Sequence, residues 1–213
     1  MRYTVAELQT LFNKLPREIK PKKHTPETAV PWVALIAAYS GACLEEICQL
    51  TVDDVREEDA NGGRLWCIDI HNGGDGHKVK NDKARPRLLP MHSALVRAGL
   101  LEYIANLPDK RGQLFPGLER HASKDNKFGP RVGEICNKKL RAFGIKRKGL
   151  DFHSFRHTVS NVLDIAGVPQ HDSARVLGHT IEGMTYGTYS QAGPGLKRVA
   201  AVVEMITYDG LRI

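Results

Sequence analysis

Residues 151–179 read DFHSFRHTVSNVLDIAGVPQHDSARVLGH, and the architecture is decided here. Helical patterns cover 154–166 and 169–177. At the head of the first, His153 and Arg156 lie three residues apart, so one helical face can present both. An arginine offers a planar fork that matches two phosphate oxygens. A histidine beside it can shuttle protons near neutral pH. The plainer alternative is a helix start with exposed polar residues. The second pattern ends in Leu177-Gly178-His179, ahead of Tyr186 and Tyr189. A histidine after such a glycine is often only part of a helix cap. A tyrosine phenol has a pKa of about 10, so a nucleophilic tyrosine needs neighbours that stabilise the phenolate. Either tyrosine serves equally well as a core residue with a bonded hydroxyl.

Moving outward, helical patterns dominate. Thr4 to Glu7 has the form of a capping box, which predicts a first helix to about Asn13. Residues 14–27 read as a loop. Pro31 suits a first helical turn, with a buried helix over Trp32–Tyr39, a break at Gly41 and a shorter helix over Leu44–Leu50. Residues 64–70, RLWCIDI, alternate and predict a strand, followed by turn material at 71–77. Residues 85–90, RPRLLP, predict the returning strand. Further helices are expected over about 92–106, 130–142 and 195–206. The expected fold class is mainly α with one small antiparallel β-sheet.

Composition narrows the function. The chain has 213 residues, 41% hydrophobic and 26% charged, which suits a globular core and argues against disorder. Cys43, Cys48, Cys67 and Cys136 form no CxxC pair, which disfavours a disulfide scaffold or a four-thiolate zinc site and fits a reducing, cytoplasmic setting. The N-terminus lacks the apolar core of a signal peptide. The uncharged run Thr28–Leu44 is short for a membrane span and holds Pro31, Ser40 and Gly41, so no membrane association is expected. Lys and Arg number 31 against 24 acids, a formal charge of +7, which points to a polyanionic partner. Basic residues cluster at Lys138, Lys139, Arg141, Lys146, Arg147 and Lys148, and again at Lys78, Lys80, Lys83, Arg85 and Arg87. Each cluster reads either as a solvated face or as a footprint on nucleic-acid phosphates.

Taken together, His153, Arg156, His179 and Tyr189, in that order, resemble the catalytic domain of the tyrosine recombinases, the phage-integrase family. The resemblance covers residues 3 to 208. In that family an H-x-x-R motif precedes Leu-Gly-His, and a nucleophilic tyrosine follows. Tyr189, ten residues past His179, is the better match and Tyr186 the second. The family also carries a lysine between two strands, upstream of an R-x-x-P pattern. Arg87-Leu88-Leu89-Pro90 supplies the pattern, and Lys80 matches the lysine better than Lys78 or Lys83. The chain departs at one point: residues 40–50, SGACLEEICQL, put Cys43 where the family has its first arginine, with Glu46 as the acid three residues on.

The resemblance implies the recombinase fold and one catalytic domain over residues 1–213, without the family's N-terminal helical domain. It implies cleavage and rejoining of double-stranded DNA through a 3′-phosphotyrosine link, with no cofactor and no metal. Tyr189 would be the nucleophile, Arg156 and His179 the phosphate ligands, His153 a proton carrier, Lys80 the acid for the leaving oxygen and Glu46 a supporting residue. Lys78, Lys83, Arg85, Arg87 and the 138–148 cluster would contact DNA, and further recombinase subunits would join in a tetrameric synapse. Cys43 cannot supply a permanent positive charge, so attenuated cleavage is expected. Two other readings stay open: a non-catalytic DNA-binding module on the same fold, and a metal hydrolase using His153, His157 and His179, though the HExxH glutamate is missing. The apolar-faced segment 195–206 either closes its own core or docks on a neighbouring subunit.

Overall fold

Residues 29–40 are buried around the whole helical circumference, and all but Ser40 are hydrophobic, as a helix enclosed on all sides must be. In the computed structural model they form all but the first turn of α2 (Pro26–Ser40), packed against α3 (Leu44–Cys48), α4 (Ser93–Arg97), α6 (Gly129–Ala142) and α7 (Ser154–Ile165). The structure describes residues 1–60, 62–71, 86–122, 125–179 and 194–213. The start of α2 differs from expectation. Thr25 caps it by accepting the Thr28 N–H, and Pro26 rather than Pro31 takes the first turn. Pro31 lies inside the helix, where its missing N–H leaves only a carbonyl of the opening turn unbonded along the helix. Gly41 ends α2 in the left-handed conformation, φ +66°. Ahead of it, α1 (Val5–Lys14) begins with the predicted Thr4–Glu7 capping box.

The sheet has three antiparallel strands in the order β1 (Val55–Asp59), β2 (Arg64–Ile70), β3 (Arg87–Pro90). Val55 pairs with Ile68, and Ile70 with Arg87. β2 and β3 match the predicted pair. β1, VREED, escapes a pattern reading because it is an edge strand in which only Val55 is buried. Arg56 forms ion pairs with Glu58 on the same strand and Asp69 on β2, and Arg64 on β2 pairs with Glu57.

The expected helix over 92–106 is two helices, α4 and α5 (Leu100–Ala105), parted at Gly99 with φ +88°. α6, α7 and α8 (Gln170–Leu177) fall within a residue or two of expectation. α9 (Pro194–Glu204) packs on β3 and α8 of its own chain, burying Leu196, Val202 and Val203. Arg198 bonds Asp172 on α8 at 2.6 Å, and Glu204 accepts the Ser93 N–H at the start of α4. Within the chain, the C-terminal segment thus packs against the core. Among the described residues, no helix is long and apolar enough to cross a membrane.

Candidate active site

The site grows from the corner where α2 ends. The Gly41 carbonyl accepts a bond from Arg156 Nη1 at 3.0 Å, which seats the guanidinium, 4% exposed, against the turn into α3. Two residues on, Cys43 is the N-cap of α3, and its N–H donates to Glu46 Oε2 at 2.9 Å. This is the cap expected from an acid in the first helical turn. Glu45 faces the other way and accepts the Phe128 and Gly129 N–H groups, which pins the start of α6 to α3.

These constraints bring Cys43, His153 and Arg156 to one cavity of about 210 Å3, also lined by Gly133 and Asn137 of α6 and by Asp151. His153 stands exposed at the N-cap of α7 and Arg156 is buried one turn on. The three-residue spacing thus puts both on the cavity, with the histidine at the rim and the arginine at the floor. His157 touches His153 edge to face, ring centroids 4.8 Å apart. His157 also lines a second cavity of about 650 Å3, which His179 enters from the end of α8. The histidine pair therefore stands between the Arg156 cavity and the His179 cavity. Gly178, φ +70°, turns the chain after α8 and presents His179 to solvent. Among the described residues, no group of three or more His, Cys, Asp or Glu side chains is placed to hold a metal ion.

Glu46 lies deepest, 2% exposed. Burial pushes its carboxyl up, but the Arg87 guanidinium at 3.0 Å, the Cys43 N–H and the nearby charge of Arg156 outweigh burial and hold it below the ordinary carboxylate value. Arg87, expected among the DNA contacts, is buried, its side chain bound to Glu46 and to the Val176 carbonyl. A charge run hides such a residue, because its neighbours in sequence suggest a solvated loop.

The second basic cluster divides. Lys138, Arg141 and Lys148 are exposed, and Lys139 is half-buried. Lys146 is turned inward onto Asn137 Oδ1, at 2.9 Å, and the Leu150 carbonyl. Arg147 binds Glu7 through two nitrogens and the Arg2 carbonyl through one. Tyr189, Tyr186, Lys78, Lys80, Lys83 and Arg85 lie outside the described residues. Sequence reasoning missed Gly41, Asn137 and Asp151 as neighbours of the site, and it grouped His157 with His153 and His179 only as candidate metal ligands. A glycine at a helix end before a capped turn is a usable signal for Gly41; nothing in the sequence marks Asn137 or Asp151.

Three solved structures share the fold. The integrase from mycobacterium phage Brujita matches all of this chain and 60% of its own, with a TM-score of 0.64 and 16% identity. The XerH site-specific recombinase bound to its difH substrate, before cleavage, matches 84% of this chain and 47% of its own, with a TM-score of 0.56 and 17% identity. The same recombinase in a post-cleavage complex with palindromic difH matches 85% of this chain and 47% of its own, at 0.57 and 18%. The chain thus spans between about half and 60% of the length of these proteins. None of the curated proteins matches the sequence. The profile of the phage integrase family matches residues 3–194, nine-tenths of the sequence, and the chain belongs to that family.

Proposed function

We propose that this chain carries the strand-transfer centre of a site-specific DNA recombinase and that Cys43 attenuates it. The observation that carries the reading is the convergence of Cys43, His153 and Arg156 on one cavity, in a member of the phage integrase family. Double-stranded DNA is the substrate. The phosphodiester sits over the cavity, with Arg156 and His179 on its non-bridging oxygens. The Tyr189 hydroxyl gives up its proton with His153 assisting, and its oxygen attacks phosphorus. The new tyrosine–phosphorus ester forms as the bond to the 5′-oxygen breaks, and Lys80 protonates that oxygen. Reversal by a 5′-hydroxyl reseals the strand or joins a new one, with the ester energy conserved throughout. Catalysis is then positioning and charge stabilisation at the phosphate.

Cys43 offers neither a fixed charge nor a two-pronged donor. Loss of one preorganised donor costs on the order of 10²- to 10³-fold in rate. Relaxation of supercoiled plasmid, with the covalent adduct trapped by denaturation, tests the reading. The Cys43→Arg form is expected to exceed the present protein by about that factor, and Tyr189→Phe in that background to abolish the adduct. Silence of all three proteins, alongside salt-sensitive DNA binding, establishes the second reading instead. That reading is a DNA-binding module, and Cys43 in the place of the family's first arginine is the feature in its favour.

A further inference from the structure

Arg87 opens β3, directly after the connection from β2, and its guanidinium reaches two other elements. Nη2 donates to Glu46 Oε2 at 3.0 Å, and Nε donates to the Val176 carbonyl at 2.8 Å. The same Glu46 oxygen holds the Cys43 N–H. Val176 precedes Leu177, Gly178 and His179, the turn that ends α8. One buried side chain therefore joins the strand that leads out of the β2–β3 connection, the cap at Cys43 and the turn at His179.

A buried ion pair adds little net stability over well-packed apolar residues, while its hydrogen bonds fix direction. The Nε and Nη2 donors are fixed in one rigid plane, so their two bonds set the angle between α3 and the end of α8 as a lysine's point charge cannot. We propose that Arg87 is a positioning residue for strand transfer, holding the Cys43 cap and the His179 turn in register across the cleavage site. The inference rests on the recombinase reading above.

The test uses the full chain in the Cys43→Arg background, with supercoiled plasmid as substrate and trapped adduct as readout across pH 5–9. Arg87→Met is expected to lower the rate by about 100-fold, the scale of a roughly 1 Å misplacement, with plasmid binding retained. Arg87→Lys is expected to recover part of that loss. Among the described residues, the charges facing Glu46 are Arg87 from β3 and Arg156 from α7. Arg87→Met removes the stronger of these two, so the acid limb of the rate profile moves to higher pH; with Arg87→Lys it stays near that of the parent. A bracing role confined to stability leaves that limb unmoved. Parental rates in Arg87→Met overturn the inference and leave the recombinase reading intact. If Arg87→Met does not fold, a folded Arg87→Lys with the full parental rate overturns it as well. Absence of adduct in the Cys43→Arg parent is a different failure: it overturns the recombinase reading, and the role of Arg87 in strand transfer with it.

Discussion

Glu46 stays charged in the interior because donors reach it from two directions. The Cys43 N–H fixes it from its own helix, and Arg87 from β3. Its folded pKa is lowered from the ordinary 4.5, so it contributes stability that is fully present above that value and lost as pH falls through the folded value. Glu46→Gln keeps the shape but removes the carboxylate charge from beside the buried Arg87 guanidinium, at a cost of about 3 kcal/mol near neutrality. Urea unfolding at pH 7 and again near pH 3.5, roughly a unit below the ordinary carboxylate range, checks this. The gap between the two proteins is expected to shrink at the acid end; an equal gap at both would mean that the carboxylate charge does not act there. The family resemblance pointed to this acid through its place three positions after Cys43. Its partner was not legible, because an R-x-x-P pattern says nothing about which way the arginine points.

At the scale of elements, the corner of α2, α7 and α8 fixes how the site's pieces meet. A Cβ on Gly41 would lie 2.5 Å from Leu177 Cδ2 and 3.2 Å from Val159 Cγ1, at φ +66°. Gly41→Ala therefore combines left-handed strain with a clash, together roughly 2–4 kcal/mol. Gly144→Ala, at φ +74° with nothing within 4 Å, carries the strain alone, about 1–2 kcal/mol. Denaturant midpoints for the two variants isolate the contact, and equal losses would show that this corner tolerates the extra methyl. The helices at this corner were legible because their apolar spacing and end signals agree. The split at Gly99 was not, because the apolar pattern runs through it, and β1 was not, because backbone pairing rather than burial holds that strand.

For the whole molecule, the formal charge of +7 matters through its distribution. The α6 stripe Gly133, Asn137, Arg141 follows the i, i+4 rule: its first two members line the Arg156 cavity, and the third continues the same face as an exposed cation. On the proposed function, with a scissile phosphate over the cavity, Arg141 and the neighbouring Lys138 are placed to take up the phosphate backbone beside it. Arg147 is committed to Glu7 and Arg2. Each phosphate contact adds a little under one unit to the slope of log affinity against log salt. Titrations of a duplex at several salt concentrations should therefore show a steep loss of affinity for the unmodified chain. Arg141→Ala is expected to flatten the slope by about one unit, and Arg147→Ala to leave it nearly unchanged. An equal flattening by both variants would mean that the Arg147–Glu7 pair opens on DNA, and a flat dependence for the unmodified chain would remove the phosphate backbone from its binding altogether.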